Sequence, residues 1–193
     1  MSTAIAIAVS GLVLSGCSVG GGQRTGMGMG HDTPMMGAVA GYDVSNVSCS
    51  APTNLPGSRV TVMLGERGRM HMGGPSGPPD SRMMLRAFPA TVRAGQVSFV
   101  AQNMGRRTHE VVAMPLAAGK SEGQRVPGKD GKVDERGSLG EASNSCAAGA
   151  GEGIAAGTVG WVTLTLEAGS YELLCNLPNH YTNGMWQGFT VVP

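Results

Sequence analysis

The sequence predicts an all-β domain, a sandwich or barrel with long irregular loops. Three observations carry that expectation: short segments alternate apolar and polar residues, glycine and proline mark the turns between them, and no segment keeps a helical period beyond a turn or two. The first such segment begins at Arg59, where Val60, Val62 and Leu64 fall on one face and Arg59, Thr61 and Met63 on the other. Met83 to Phe88 is long enough for a second short strand. After a turn at Ala94-Gly95, Val97, Phe99 and Ala101 alternate again, and a turn at Met104-Gly105 leads into Thr108 to Met114, with His109, Val111 and Ala113 on one face. Val162, Leu164 and Leu166 then face inward, against Trp161, Thr163 and Thr165. Glu167 to Ser170 turns the chain into Tyr171–Cys175, and Gly188 to Val192 forms the last strand.

Two stretches resist this reading. Residues 65–81 are rich in glycine and proline and predict a loop, and residues 117–157 are polar, glycine-rich and without period. A connection as long as the second is more often functional or loosely ordered than a hidden element. The 193 residues suffice for one domain plus tails, and with 32 glycines and few aromatic residues not all of the chain can be core. The net charge of +1 and the lack of a basic cluster exclude nucleic acid as a partner.

The N-terminus reads as a targeting segment. Ala4 to Leu14 is an uncharged apolar run, shorter than the ~20 residues a spanning helix needs. Leu14-Ser15-Gly16-Cys17 follows it and resembles the bacterial lipobox, which implies that residues 1–17 are a signal peptide and its lipobox cysteine, with the peptide before Cys17 removed, Cys17 lipidated and the lipid anchored in the bacterial cell membrane. The departure from that pattern is that no Lys or Arg precedes the apolar run. Residues 18–57 then form a Gly/Met-rich tether, and the domain occupies 58–193, outside the cytoplasm, where disulfides persist.

The chemistry lies near the C-terminus, in LLCNLPNHYTNGMWQGF, where Cys175, His180 and Met185 are each five residues apart. A loop of that length can curl its side chains around one point. Thiolate, imidazole and thioether are soft-to-borderline donors that suit copper rather than magnesium or calcium, and a mononuclear copper site of this kind needs a second histidine. His109, which opens the THEVVAM strand, is the one histidine besides His180 outside a glycine-rich segment.

Two stretches, FPATVRAGQVSFVAQNMGRRTHEVV and LEAGSYELLCNLPNHYTNGMWQGFTV, resemble the cupredoxins, the blue copper proteins. The first is similar to the part of that family that delivers the first histidine, the second to its C-terminal ligand loop. The Cys-x4-His-x4-Met spacing is closer to sulfocyanin and rusticyanin-like members than to plastocyanin. The likeness covers residues 58–116 and 157–193 and implies a Greek-key β-sandwich holding one type 1 copper ion. It makes His109, Cys175 and His180 the equatorial ligands and Met185 the axial one. Pro178 matches the proline often found before the second histidine. Asn179 stands where glycine is common, although asparagine tolerates left-handed backbone angles. Glu110 stands where many members carry an asparagine that ties the ligand loops together; it can still accept a hydrogen bond from the Asn176 region.

With Cys17 assigned to lipid and Cys175 to copper, Cys49 and Cys146 remain and suggest one disulfide. Met27, Met29, His31, Met35 and Met36 cluster in the tether, and Met70, His71 and Met72 in the first long loop. Thioethers near an imidazole can bind Cu(I). The chain therefore reads as a one-electron carrier whose redox partner docks near His180, beside Leu177, Pro178 and Trp186. The alternative is a protein for copper storage, delivery or resistance. An enzyme is disfavoured, because Leu174 and Asn176 flank Cys175 where multicopper oxidases have histidines, no second cysteine stands in the ligand loop, and only His31 and His71 remain for a catalytic copper.

Overall fold

In every segment where the sequence alternates, the chain is extended. The computed structural model describes residues 47–66 and 83–193. Cys17, the tether cluster from Met27 to Met36, and Met70, His71 and Met72 lie outside the described residues.

Nine strands form among the described residues: β1 (Ser58–Glu66), β2 (Met83–Phe88), β3 (Thr91–Arg93), β4 (Gly95–Asn103), β5 (Val111–Pro115), β6 (Gly140–Ala142), β7 (Val159–Leu166), β8 (Gly169–Leu174) and β9 (Trp186–Val192). They make two sheets, one ordered β2-β1-β4-β7 and the other β3-β9-β8-β5-β6. The chain crosses between sheets from β2 to β3, β3 to β4, β4 to β5, β6 to β7 and β7 to β8, which makes the Greek-key β-sandwich that the resemblance implies. β1 pairs with β4 in parallel and β3 with β9 in parallel; the other ladders are antiparallel.

The inward faces carry the residues the alternation picks out. Val60, Val62 and Leu64 of β1, Val97, Phe99 and Ala101 of β4, and Val111 and Ala113 of β5 are all buried in one core. Phe99 and Phe189 meet across it edge to face, with ring centroids 5.2 Å apart. An aromatic pair of this geometry adds about 0.5–1.5 kcal/mol to the burial of the two rings. Cys175 and Met185 belong to the same core, which places the expected metal donors at its end rather than on a surface loop.

The structure differs from the sequence reading in four places. β1 runs on through Gly65 and Glu66, which the composition assigns to the loop, because both residues pair with β2. β3 and β6, three residues each, are too short to show a period. The third difference concerns the outer faces, parts of which are covered rather than solvated. Val112, Met114 and Leu174 point away from the main core but are buried with Val133 and Tyr181 under the connection between β5 and β7. That connection is mostly irregular, as expected, but folds against the sheet. Its residue Arg125 donates from Nε to the buried Glu172 carboxylate at 2.6 Å, and the Gly123 N–H donates to the same carboxylate at 2.6 Å.

The fourth difference is in the tether. Residues 47–57, assigned to it by composition, pack on the other outer face, where Ala51 is buried with Val100 and Val159, and Val47, Leu55 and Trp161 pack around them. The Cys49–Cys146 disulfide holds this segment to the long connection. It closes a loop across a sequence separation of 97 residues, so it removes much freedom from the unfolded chain. We expect the double substitution Cys49→Ser/Cys146→Ser to lower stability by about 2–4 kcal/mol. Denaturant unfolding of both proteins measures this; an unchanged midpoint would show that the cross-link restrains nothing that packing does not.

Candidate metal centre

The second ligand segment is a hairpin connection forced into a tight curl. At its ends the Cys175 N–H donates to the Met185 carbonyl at 3.0 Å, which closes residues 175–185 into a loop between β8 and β9. Within it the His180 N–H donates to Leu177 O at 2.9 Å, and the Met185 N–H donates to His180 O at 3.2 Å. The curl uses two left-handed residues, Asn179 with φ 66° and Gly184 with φ 82°. The backbone therefore ties all three donor residues of the loop to one another.

His109 is fixed from the opposite side. Its N–H donates to Ile154 O and its carbonyl accepts from the Ile154 N–H, at 3.1 and 2.7 Å. The Asn103 side-chain amide donates to Arg107 O and Ile154 O, both at 2.7 Å, so the turn between β4 and β5 is pinned just before the histidine.

These constraints bring the expected residues together. His109 Nδ1 lies 3.2 Å from His180 Nδ1, and Cys175 Sγ lies 3.3 Å from His180 Nδ1. One donor atom from each of His109, Cys175 and His180 lies within 4.8 Å of the others, and all three residues are buried. Met185 is fully buried, and its backbone is bonded to Cys175 and His180. An ion bonded at about 2 Å to each imidazole holds the two nitrogens roughly 3.3–3.5 Å apart, so the observed separations fit a single ion within a few tenths of an ångström. The donor set of two imidazoles, a thiol and a thioether is consistent with type 1 copper.

Electrostatics favour neutral ligands before metal arrives. Burial, then the neighbouring His109 and Arg107, lowers His180 to about 4. Burial also lowers His109, although the Glu66 carboxylate opposes it. Both rings thus keep a lone pair for a metal at neutral pH. Burial, with Glu110 nearby, pushes the Cys175 thiol up to about 12, so a metal must displace its proton on binding.

Around the donors lies a shell that only partly shows in the sequence. Glu110 accepts the Asn176 N–H at 2.9 Å, the link between ligand segments expected of it. Burial raises its carboxyl to about 7 despite that bond. The Asn176 side chain reaches into the long connection: its Oδ1 accepts the Val133 N–H at 2.7 Å and its Nδ2 donates to Val133 O at 2.9 Å. The Asn179 N–H donates to Gly131 O at 2.9 Å. Gly131, with φ +77°, is needed there, since a Cβ would lie 2.8 Å from the Asn179 nitrogen. Glu66 is the other partner that no spacing announces; its Oε1 lies 3.3 Å from His109 Nε2. Burial works against its ionisation, but the Arg106 N–H, His109 and the Arg107 N–H together hold its carboxyl below the usual value. Trp186 packs on the outer-face cluster with Tyr181, ring centroids 6.4 Å apart.

Several solved blue copper proteins are similar in structure to this chain. Reduced auracyanin from Roseiflexus castenholzii matches with a TM-score of 0.42 and 17% identity, covering 71% of this chain and 100% of its own. Auracyanin A from Chloroflexus aurantiacus matches with 0.42 and 17%, covering 70% and 100%. Rusticyanin from Thiobacillus ferrooxidans matches with 0.41 and 17%, covering 77% and 89%. No protein-family model matches the chain, and no curated protein does. Fold and donor arrangement are cupredoxin-like on the chain's own geometry.

The Asn176 bridge yields an expectation. Asn176→Ala leaves the buried Val133 N–H and C=O without their partners, which costs about 1–3 kcal/mol. Urea unfolding of the metal-free protein measures the loss, and a change below ~0.5 kcal/mol would mean that Val133 finds other partners.

Proposed function

We propose that this chain is an extracytoplasmic blue copper protein that carries single electrons through one type 1 copper ion, bound by His109, Cys175 and His180 with Met185 as the axial ligand. The observation that carries the reading is the convergence of two imidazole Nδ1 atoms and a buried thiol at the end of the sandwich core. Copper held there supplies one electron per cycle as it alternates between Cu(I) and Cu(II). The residues of the chain contribute rigidity. Because the donors are anchored by backbone bonds on both sides and packed in the core, their separations change little when the ionic charge changes. Small rearrangement means a small barrier to electron transfer.

A redox partner docks over the His180 end, where Leu177 is half-buried and Pro178 and Asn179 are exposed. The disulfide suits an oxidising compartment, and a lipid at Cys17 would hold the domain at the cell membrane.

The test is a visible spectrum. Copper-loaded, oxidised protein is expected to show an intense thiolate-to-copper charge-transfer band, and Cys175→Ser to abolish it, because a hydroxyl is not the soft donor required. Persistence of the intense band in that variant would sink the assignment. For the anchor, Cys17→Ser is expected to move the protein from the membrane fraction to the soluble one on cell fractionation; unchanged membrane retention would refute lipidation at that residue.

A further inference from the structure

Every buried polar atom of a metal-ligating histidine needs a partner, and His109 is fully buried. Its Nδ1 faces His180 Nδ1 at 3.2 Å, so Nε2 is the nitrogen left to carry a proton. The atom that meets Nε2 is Glu66 Oε1, at 3.3 Å. Glu66 reaches this position because β1 runs parallel to β4 with Leu64 opposite Asn103, which sets the strand end beside the turn that leads to His109. There the carboxylate has a built seat. The Arg106 N–H donates to Oε2 at 2.9 Å, the Arg107 N–H to Oε1 at 3.1 Å, and Gly105 leaves the space open, since a Cβ there would lie 2.5 Å from Oε2.

We propose that Glu66 is the positioning residue of His109: its carboxylate accepts a hydrogen bond from Nε2–H, fixes the tautomer that aims Nδ1 at the donor cluster, and adds a negative charge behind the ligand. This deepens the copper reading above and rests on it. A carboxylate behind a ligating imidazole makes the ring a stronger donor. The added charge also favours the more highly charged Cu(II) over Cu(I), so Glu66 sets the balance between oxidation states without touching the metal.

Three measurements on the full chain test this. In metal-free protein, nitrogen NMR of His109 is expected to show the proton on Nε2; a proton on Nδ1 overturns the proposal, and this measurement needs no variant to fold. In Glu66→Gln, Cu(II) affinity is expected to fall about 10–100-fold, with a smaller loss for Cu(I). The reduction potential then rises, by about 59 mV for each tenfold change in the ratio of the two affinities. Glu66→Ala is expected to shift the potential in the same direction and to lose the single tautomer. Wild-type potential and wild-type Cu(II) affinity in Glu66→Gln overturn the proposal. Should copper-loaded wild type show no intense visible band, the electron-carrier reading fails instead, while the tautomer of metal-free His109 still decides whether Glu66 holds it.

Discussion

The backbone bond from the Cys175 N–H to the Met185 carbonyl is the constraint on which the centre depends. It converts an eleven-residue stretch between β8 and β9 into a closed loop whose two ends are both in the core. Once the ends are fixed, the positions left to His180 are few, and the bonds from His180 to Leu177 and Met185 select among them. The same closure keeps the thiol buried and protonated in the absence of metal. The donors are therefore arranged by folding, and an ion that enters finds their entropy already spent.

Holding the other donor is a separate problem, because His109 lies in a different part of the sheet. Two crosslinks solve it. One runs from Glu110 to Asn176 and joins the two ligand segments directly. The other passes through the long connection: Ile154 grips the His109 backbone on one side, while Val133 and Gly131 grip Asn176 and Asn179 on the other. The connection that composition reads as loose thus spans both ligand segments. The Cys49–Cys146 disulfide ties it in turn to the segment covering the opposite sheet. Its order follows from those contacts and from the Arg125–Glu172 pair, not from any periodicity of its own.

This division explains what was legible in the sequence. Strands β1, β4, β5 and β7 showed through alternation, because one face of each meets the same core. The four donors showed through chemical type and spacing, because three lie on one short loop, where sequence distance approximates spatial distance. What stayed hidden depends on long-range register. Val112 and Met114 look like the solvent face of β5 until the long connection is laid over them. Trp186 stands opposite Leu174 and packs with it on the outer face, a placement that its position just after the ligand loop does not announce. Glu66 reads as the first charged residue of a loop; only the parallel pairing of β1 with β4, with two strands between them in sequence, brings it to His109.

The two carboxylates beside the ligand segments are not equivalent, and their difference follows from their partners. Glu66 faces two backbone N–H groups and an imidazole and is partly open to water, so the charged form is well supported. Glu110 is more deeply buried, accepts one N–H from Asn176, and has Glu141 and Glu135 as neighbours, so its charge is poorly supported. A carboxylate whose charged form is favoured adds negative charge beside the centre, whereas one whose charge is opposed by burial serves chiefly as a hydrogen-bond link. The two tasks are thus separated: Glu110 links the ligand segments beside Cys175, and Glu66 stands behind His109 with its charged form favoured.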